Sequence, residues 1–129
     1  ISGPLLDRID LQLQLPPVDA TALLAGVADR GQHALTTVQA QQLVCVARQR
    51  QLARQGKLNA QLGAEETLQR CSANAQGMAL LQRAAAQRGY SARSQHRILR
   101  VARSIADIAD RDAVQAEDIA EALAMRWDE

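Results

Sequence analysis

Residues 91–110 read SARSQHRILRVARSIADIAD, and their pattern decides the fold. At about 100° per residue, Arg93, His96, Arg97, Arg100 and Arg103 fall within an arc of roughly 120°. Ile98, Leu99, Val101, Ala102, Ile105 and Ala106, then Ile108 and Ala109, supply the side that packs. This is the period of an amphipathic helix, capped by Ser91 and reaching to about Ala109. Arg97, Arg100 and Arg103 suit an ordinary solvated face, with Asp107 and Asp110 placed to pair with some of them. Arg93 is different. It falls in the first turn, beside backbone N–H groups that favour an anion, so a phosphate would relieve an otherwise unfavourable position.

The flanking sequence reads in the same way. Thr36 or Thr37 can cap a long helix that reaches about Gln55 and closes at Gly56. A short helix, Ala64–Cys71, carries Glu65 and Glu66 in its first turn, where the helix dipole favours them. A further helix runs from Asn74 or Ala75 to Arg88 and stops at Gly89, and Gln115–Trp127 makes another. Between the prolines at 16 and 17 and Gly31, the pattern is weak, with one short helical piece at Thr21–Val27.

Composition agrees with an all-α fold. The chain has 129 residues, enough for one domain with a real core. Apolar residues make up 47%, yet there is no Phe, one Tyr (Tyr90) and one Trp (Trp127). Aliphatic helix seams fit that content better than sheets do. Cys45 and Cys71 lack any zinc-ligand spacing, and each reads as a small buried hydrophobe within a helix. No signal peptide and no 18-residue apolar run is legible, so the expected location is cytoplasmic, without a membrane partner.

Net charge is +1, but its distribution is uneven. Residues 36–57 carry Arg48, Arg50, Arg54 and Lys57 with no acid, and residues 91–103 carry four arginines with none. Residues 104–129 carry eight acids against two arginines. Such polarity suits phosphate groups on one side of the molecule.

The first residues do not fit a helical domain. ISGPLLDRIDLQLQL places Ile9, Leu11, Leu13 and Leu15 on one face of a strand, after a helical turn at Pro4–Leu6. A lone strand buries neither edge, so this one reads as a remnant of a sheet. Arg8 lies between Asp7 and Asp10. It either pairs locally with one of those acids or points outward, toward charge on a neighbour's nucleotide.

Two stretches together carry a resemblance. GPLLDRIDL resembles the segment before the fifth core strand of AAA+ ATPases of the Mg-chelatase and MCM-like group. SARSQHRILRVARSIADIA, followed by VQAEDIAEALAMR, resembles the C-terminal lid of Mg-chelatase-like, ComM-type bacterial AAA+ proteins. The resemblance implies a lid bundle of about four to five helices, preceded by a remnant strand of the AAA+ core. It divides the chain into a core end at 1–17, a linker with a short helix at 18–35, and a helical lid at 36–129. It implies that Arg8 is an arginine finger acting in trans, and that Arg93 is the sensor-2 arginine that reads the ATP γ-phosphate, in cis or in trans. It implies ATP and Mg²⁺ in the whole protein, partners in its own core and neighbouring protomers of a homo-hexamer, and DNA as a candidate load in recombination or competence. One departure is the Gln-rich VQAQQL, where a more basic run is expected.

The chain has no GxxxxGK[ST] loop and no apolar run ending in paired acids, so it is not expected to hydrolyse ATP alone. His33 and His96 lie far apart in sequence and make no catalytic pair. No metal ligands group by spacing. The alternative class is a stand-alone helical nucleic-acid-binding module using the two basic runs, although it lacks base-stacking aromatics.

Overall fold

Ser91 caps the decisive helix as expected: its Oγ accepts the Ser94 backbone N–H at 3.2 Å. The computed structural model describes residues 3–6, 8–15 and 34–126. Within them, six α-helices form: α1 (Gly3–Leu6), α2 (Thr37–Gln55), α3 (Ala64–Arg70), α4 (Ala75–Arg88), α5 (Ala92–Ile108) and α6 (Ala116–Ala124). A single 3-10 turn, Asn59–Gln61, separates α2 from α3.

Local signals explain the helix ends. Thr36 Oγ1 accepts the Gln39 N–H at 3.1 Å, and Gln39 Oε1 accepts the Thr36 N–H at 3.0 Å, a reciprocal cap for α2. Gly56 and Gly89 end α2 and α4 with φ of 74° and 68°, a region that costs glycine nothing. Asn74 Oδ1 accepts the Gly77 N–H at 2.8 Å and starts α4.

The centre of the bundle is α5, which packs against α2, α3, α6 and the 3-10 turn, while α4 lies on α6. Ile98, Leu99, Ala102 and Ala106 of α5 meet Ile119 of α6 and Leu81 of α4 in the core. Each fully buried isoleucine contributes about 1.5–3 kcal/mol through removal from water. Alanines at 102 and 106 keep the α5 backbone close to its neighbours. Gly77 does the same for α4: a Cβ there would lie 2.5 Å from the Ala73 Cβ and 3.3 Å from Ile119 Cγ1. Ala73 and Val114 form an isolated parallel bridge that starts α4 and α6 side by side.

The chain is all-helical in its described residues, as the composition implies. Residues 9–15 carry neither helix nor strand ladder there, because no second strand lies alongside them among the described residues. They dock on the bundle instead. The Gln12 N–H donates to the Met125 carbonyl at 2.6 Å, and Leu11 lines a groove with Val101, Ile105 and Met125.

Three expectations need correction or lie elsewhere. The last helix stops at Ala124, because the N–H groups of Met125 and Arg126 turn back to Ala122 and Leu123 at 3.2 and 3.1 Å. Cys71 is fully buried, whereas Cys45 is exposed. On α2 only Ala47 and Gln51 are buried, and Cys45 stands about 200° around the helix from Ala47. Pro16, Pro17, the helical piece at Thr21–Val27, Gly31, His33 and Trp127 lie outside the described residues.

Candidate functional site

The arginine arc of α5 is not a uniform solvated face. Arg103 is only 4% exposed and donates to the Asp112 and Arg111 carbonyls at 2.8 and 2.7 Å. It also pairs with Asp107, one turn along, at 3.1 Å. Arg100 donates to Thr67 Oγ1 at 3.1 Å and reaches the Leu62 carbonyl at 3.5 Å. Arg97 donates to the Arg8 carbonyl at 3.1 Å and pairs with the Asp10 carboxylate. Three of the four arginines are thus engaged by α3, by the α5–α6 loop or by residues 8–10. Remote partners for Arg97 and Arg100, and the loop wrapped back over Arg103, overturn the solvated-face expectation. The Arg103–Asp107 pair is the one its spacing implies.

Asp107 is the hub of the inward half. Its side chain is 1% exposed, and it accepts from both Arg54 nitrogens at 2.8 and 3.1 Å and from Asn59 Nδ2 at 3.0 Å. Burial pushes its pKa up, but the hydrogen bonds from Arg54 and Asn59 and the charges of Arg103 and Arg54 outweigh that. The carboxyl is held below its ordinary value. Burial lowers the pKa of Arg100, with Asp10 opposing the shift. Burial raises the nearby Cys71 thiol to about 11 despite the surrounding arginines.

Arg93 stands apart. It is exposed in the first turn of α5 and makes no hydrogen bond or ion pair among the described residues. Its guanidinium is therefore presented at the end of the helix where the aligned peptide dipoles favour negative charge. A second arginine reaches the same end. Arg126 lies over the Tyr90 ring at 5.3 Å, with Nη2 3.5 Å from Ser94 Oγ. The sequence places Arg126 late in the last helix, where the dipole favours a cation. The ring it covers is remote in sequence, and no local spacing announces the contact.

Arg8 follows α1, with its N–H bonded to the Leu5 carbonyl at 3.0 Å. It is exposed, and its side chain forms no ion pair among the described residues. Asp10, one of its two expected local partners, is taken by Arg97. Asp7, the other, lies outside the described residues. The structure thus brings the backbone at Arg8 against α5, one helical turn from Arg93.

The basic run on α2 is largely neutralised from within. Arg50 pairs with Asp110 at 2.8 Å, Arg54 with Asp107, and Lys57 with Glu66 at 2.7 Å. Arg48 is exposed and has no such partner among the described residues. Also among them, no three His, Cys, Asp or Glu side chains gather to hold a metal ion. No described helix is long and apolar enough to cross a membrane.

Comparison with known proteins gives a consistent answer. The family described as magnesium chelatase, subunit ChlI C-terminal, matches residues 34–126. Competence protein ComM of Haemophilus influenzae is 36% identical over 126 residues, covering 98% of this chain and 24% of its own length. Uncharacterized protein YifB of Escherichia coli is likewise 36% identical, with the same coverage. Uncharacterized protein Mb2921c of Mycobacterium bovis is 35% identical over 130 residues, with 98% and 25% covered. The chain therefore spans about a quarter of the length of the curated relatives it matches.

Proposed function

The chain belongs to the magnesium chelatase ChlI C-terminal family, in its ComM-like branch, and on that premise we propose that it is the helical lid of a ring-forming AAA+ ATPase. Residues 1–17 are then the end of the ATPase core, residues 18–35 the connection and residues 36–129 the lid. ATP with Mg²⁺ is the substrate, and its hydrolysis builds negative charge on the phosphoryl oxygens. A planar guanidinium that stays charged suits those oxygens.

Arg93 reads the γ-phosphate from the lid. Arg8 is the arginine finger, reaching the nucleotide of the adjacent protomer in a homo-hexamer. The groups that bind ATP and Mg²⁺ directly are assigned to the rest of the ATPase, since this sequence holds no phosphate loop and no metal-binding acid pair. Closure of the lid on the core couples the nucleotide cycle to a load. The name of the Haemophilus relative, a competence protein, supports DNA as that load.

One observation carries this reading. Arg97, Arg100 and Arg103 are all engaged by the protein, whereas Arg93, on the same helix, is exposed and unpartnered among the described residues. In the full-length ATPase, Arg8→Ala and Arg93→Ala should each lower ATP turnover by about 10³-fold or more. Thermal melting should stay within about 0.5 kcal/mol of the parent, as for exposed substitutions. Normal turnover in both variants sinks the assignment. The nucleic-acid module is the weaker reading, because Arg50, Arg54 and Lys57 are already paired with acids. Steeply salt-dependent DNA affinity of the isolated chain would restore it.

A further inference from the structure

Among the described residues, Arg97 is the α5 side chain that hydrogen-bonds the Arg8 segment, and so ties it to the helix bearing Arg93. Its side chain is 15% exposed, so most of its length is packed and its donors have fixed directions. One nitrogen, Nη1, donates to the Arg8 carbonyl at 3.1 Å and also reaches Asp10 Oδ1. The two acceptors, a backbone carbonyl and a side-chain carboxylate, flank Ile9, so the guanidinium grips the chain on both sides of the residue after Arg8. On α5, Arg97 lies one turn from Arg93, the spacing that stacks side chains on one face. Arg100 continues the row, and the Asp10 carboxylate also acts on its charge.

We propose that Arg97 is a positioning residue, a clamp that sets Arg8 at a fixed place relative to Arg93 so that the two guanidiniums are presented as one unit. This rests on the reading of Arg8 and Arg93 as nucleotide-facing. The chemistry favours a clamp over a stabilising bridge. Asp10 is about half exposed, at 49%, and pairs of that kind add little to stability. The core of the bundle lies elsewhere, around Ile98, Leu99 and Ile119. Positioning is demanding where stability is not, because a displacement near 1 Å at a reacting group costs about 100-fold in rate. Both bonds leave one nitrogen, Nη1, so a lysine, which keeps the charge and has more than one N–H to donate, can hold part of the link.

The test uses the full-length ATPase, with steady-state ATP turnover, thermal melting and assembly state measured together. Arg97→Gln and Asp10→Asn should each lower kcat by roughly 10- to 100-fold with little change in KM for ATP. Melting and assembly should match the parent. The double variant should be no worse than the poorer single one, since both remove the same link. Arg97→Lys should retain more turnover than Arg97→Gln. Asp10→Asn leaves α5 untouched, so it answers the question even if the helix variants fold poorly. Parental kcat in Asp10→Asn and Arg97→Gln, while Arg8→Ala is inactive, overturns the clamp alone. Additive losses, or losses that track melting, also overturn it. Full turnover in Arg8→Ala overturns both the clamp and the nucleotide reading beneath it.

Discussion

The two ends of α5 use arginine in opposite ways. At the C-terminal end Arg103 is buried, bonded to two loop carbonyls and to Asp107, which also holds Arg54 and Asn59. At the N-terminal end Arg93 is exposed and unpartnered among the described residues. Helical position alone does not separate them, because both lie on the same arc. What differs is the company. Loop 109–115 and the end of α2 fold over the last turns, and they bring an acid and carbonyl acceptors to Arg103. The first turn receives the Ser91 cap and, at Ser94, Arg126, and neither engages the Arg93 guanidinium. One end therefore holds the bundle together, and the other is available to a ligand.

The largest effect that can break this contrast is on turnover. Arg93→Ala should abolish most ATPase activity in the full-length protein at nearly unchanged stability, by the roughly 10³-fold expected of a phosphate-facing arginine. The opposite signature belongs to Asp107→Asn. Removing that charge leaves Arg54 and Arg103 partly or wholly buried without their counter-ion, and should cost about 3–5 kcal/mol in denaturant unfolding. A stability loss for Arg93→Ala as large as for Asp107→Asn would erase the distinction between the two ends.

Acid should reveal the same hub more gently. The folded pKa of Asp107 is depressed, so its stabilising contribution is complete above the unfolded carboxyl value of about 3.9. The contribution is lost as pH falls through the still lower folded value. Melting temperature should therefore be flat in this respect down to about pH 4 and fall below it. In Asp107→Asn that part of the acid dependence should vanish. The smallest effect is on thiol chemistry. Cys45 should react with a thiol reagent near pH 8 in the native protein, while Cys71, fully buried with its pKa raised to about 11, should react only after unfolding. Equal native labelling of both would show that the region around Arg103 and Cys71 opens readily.

The helix ends were legible in the residues themselves. Thr36, Ser91, Asn74, Gly56 and Gly89 act within three or four positions of where they stand, so a local reading suffices. The pairing of Arg103 with Asp107 was legible for the same reason, as an i,i+4 spacing. What was not legible depends on distant chain. Burial of Arg103 needs Arg111 and Asp112 to wrap back. Asp110, just past the end of α5, pairs with Arg50 on α2 and not with an arginine of α5 among the described residues. Exposure of Cys45 follows from α2 touching the bundle along a narrow line at Ala47 and Gln51. At the candidate site, Arg93 was signalled by its unfavourable helix position. The tie from Arg97 to residues 8–10 spans nearly ninety positions and has no local mark.

The last described turn, Met125–Arg126, has a mechanical consequence. Met125 holds the arm at Gln12 through its carbonyl, and Arg126 covers Tyr90 and reaches Ser94 at the head of α5. A pull on the arm is thus felt at two anchors, Arg97 on the flank of α5 and the tail at its head. Those anchors lie on either side of Arg93. Tension in residues 8–15 would therefore load the first turns of α5 as a lever loads its fulcrum.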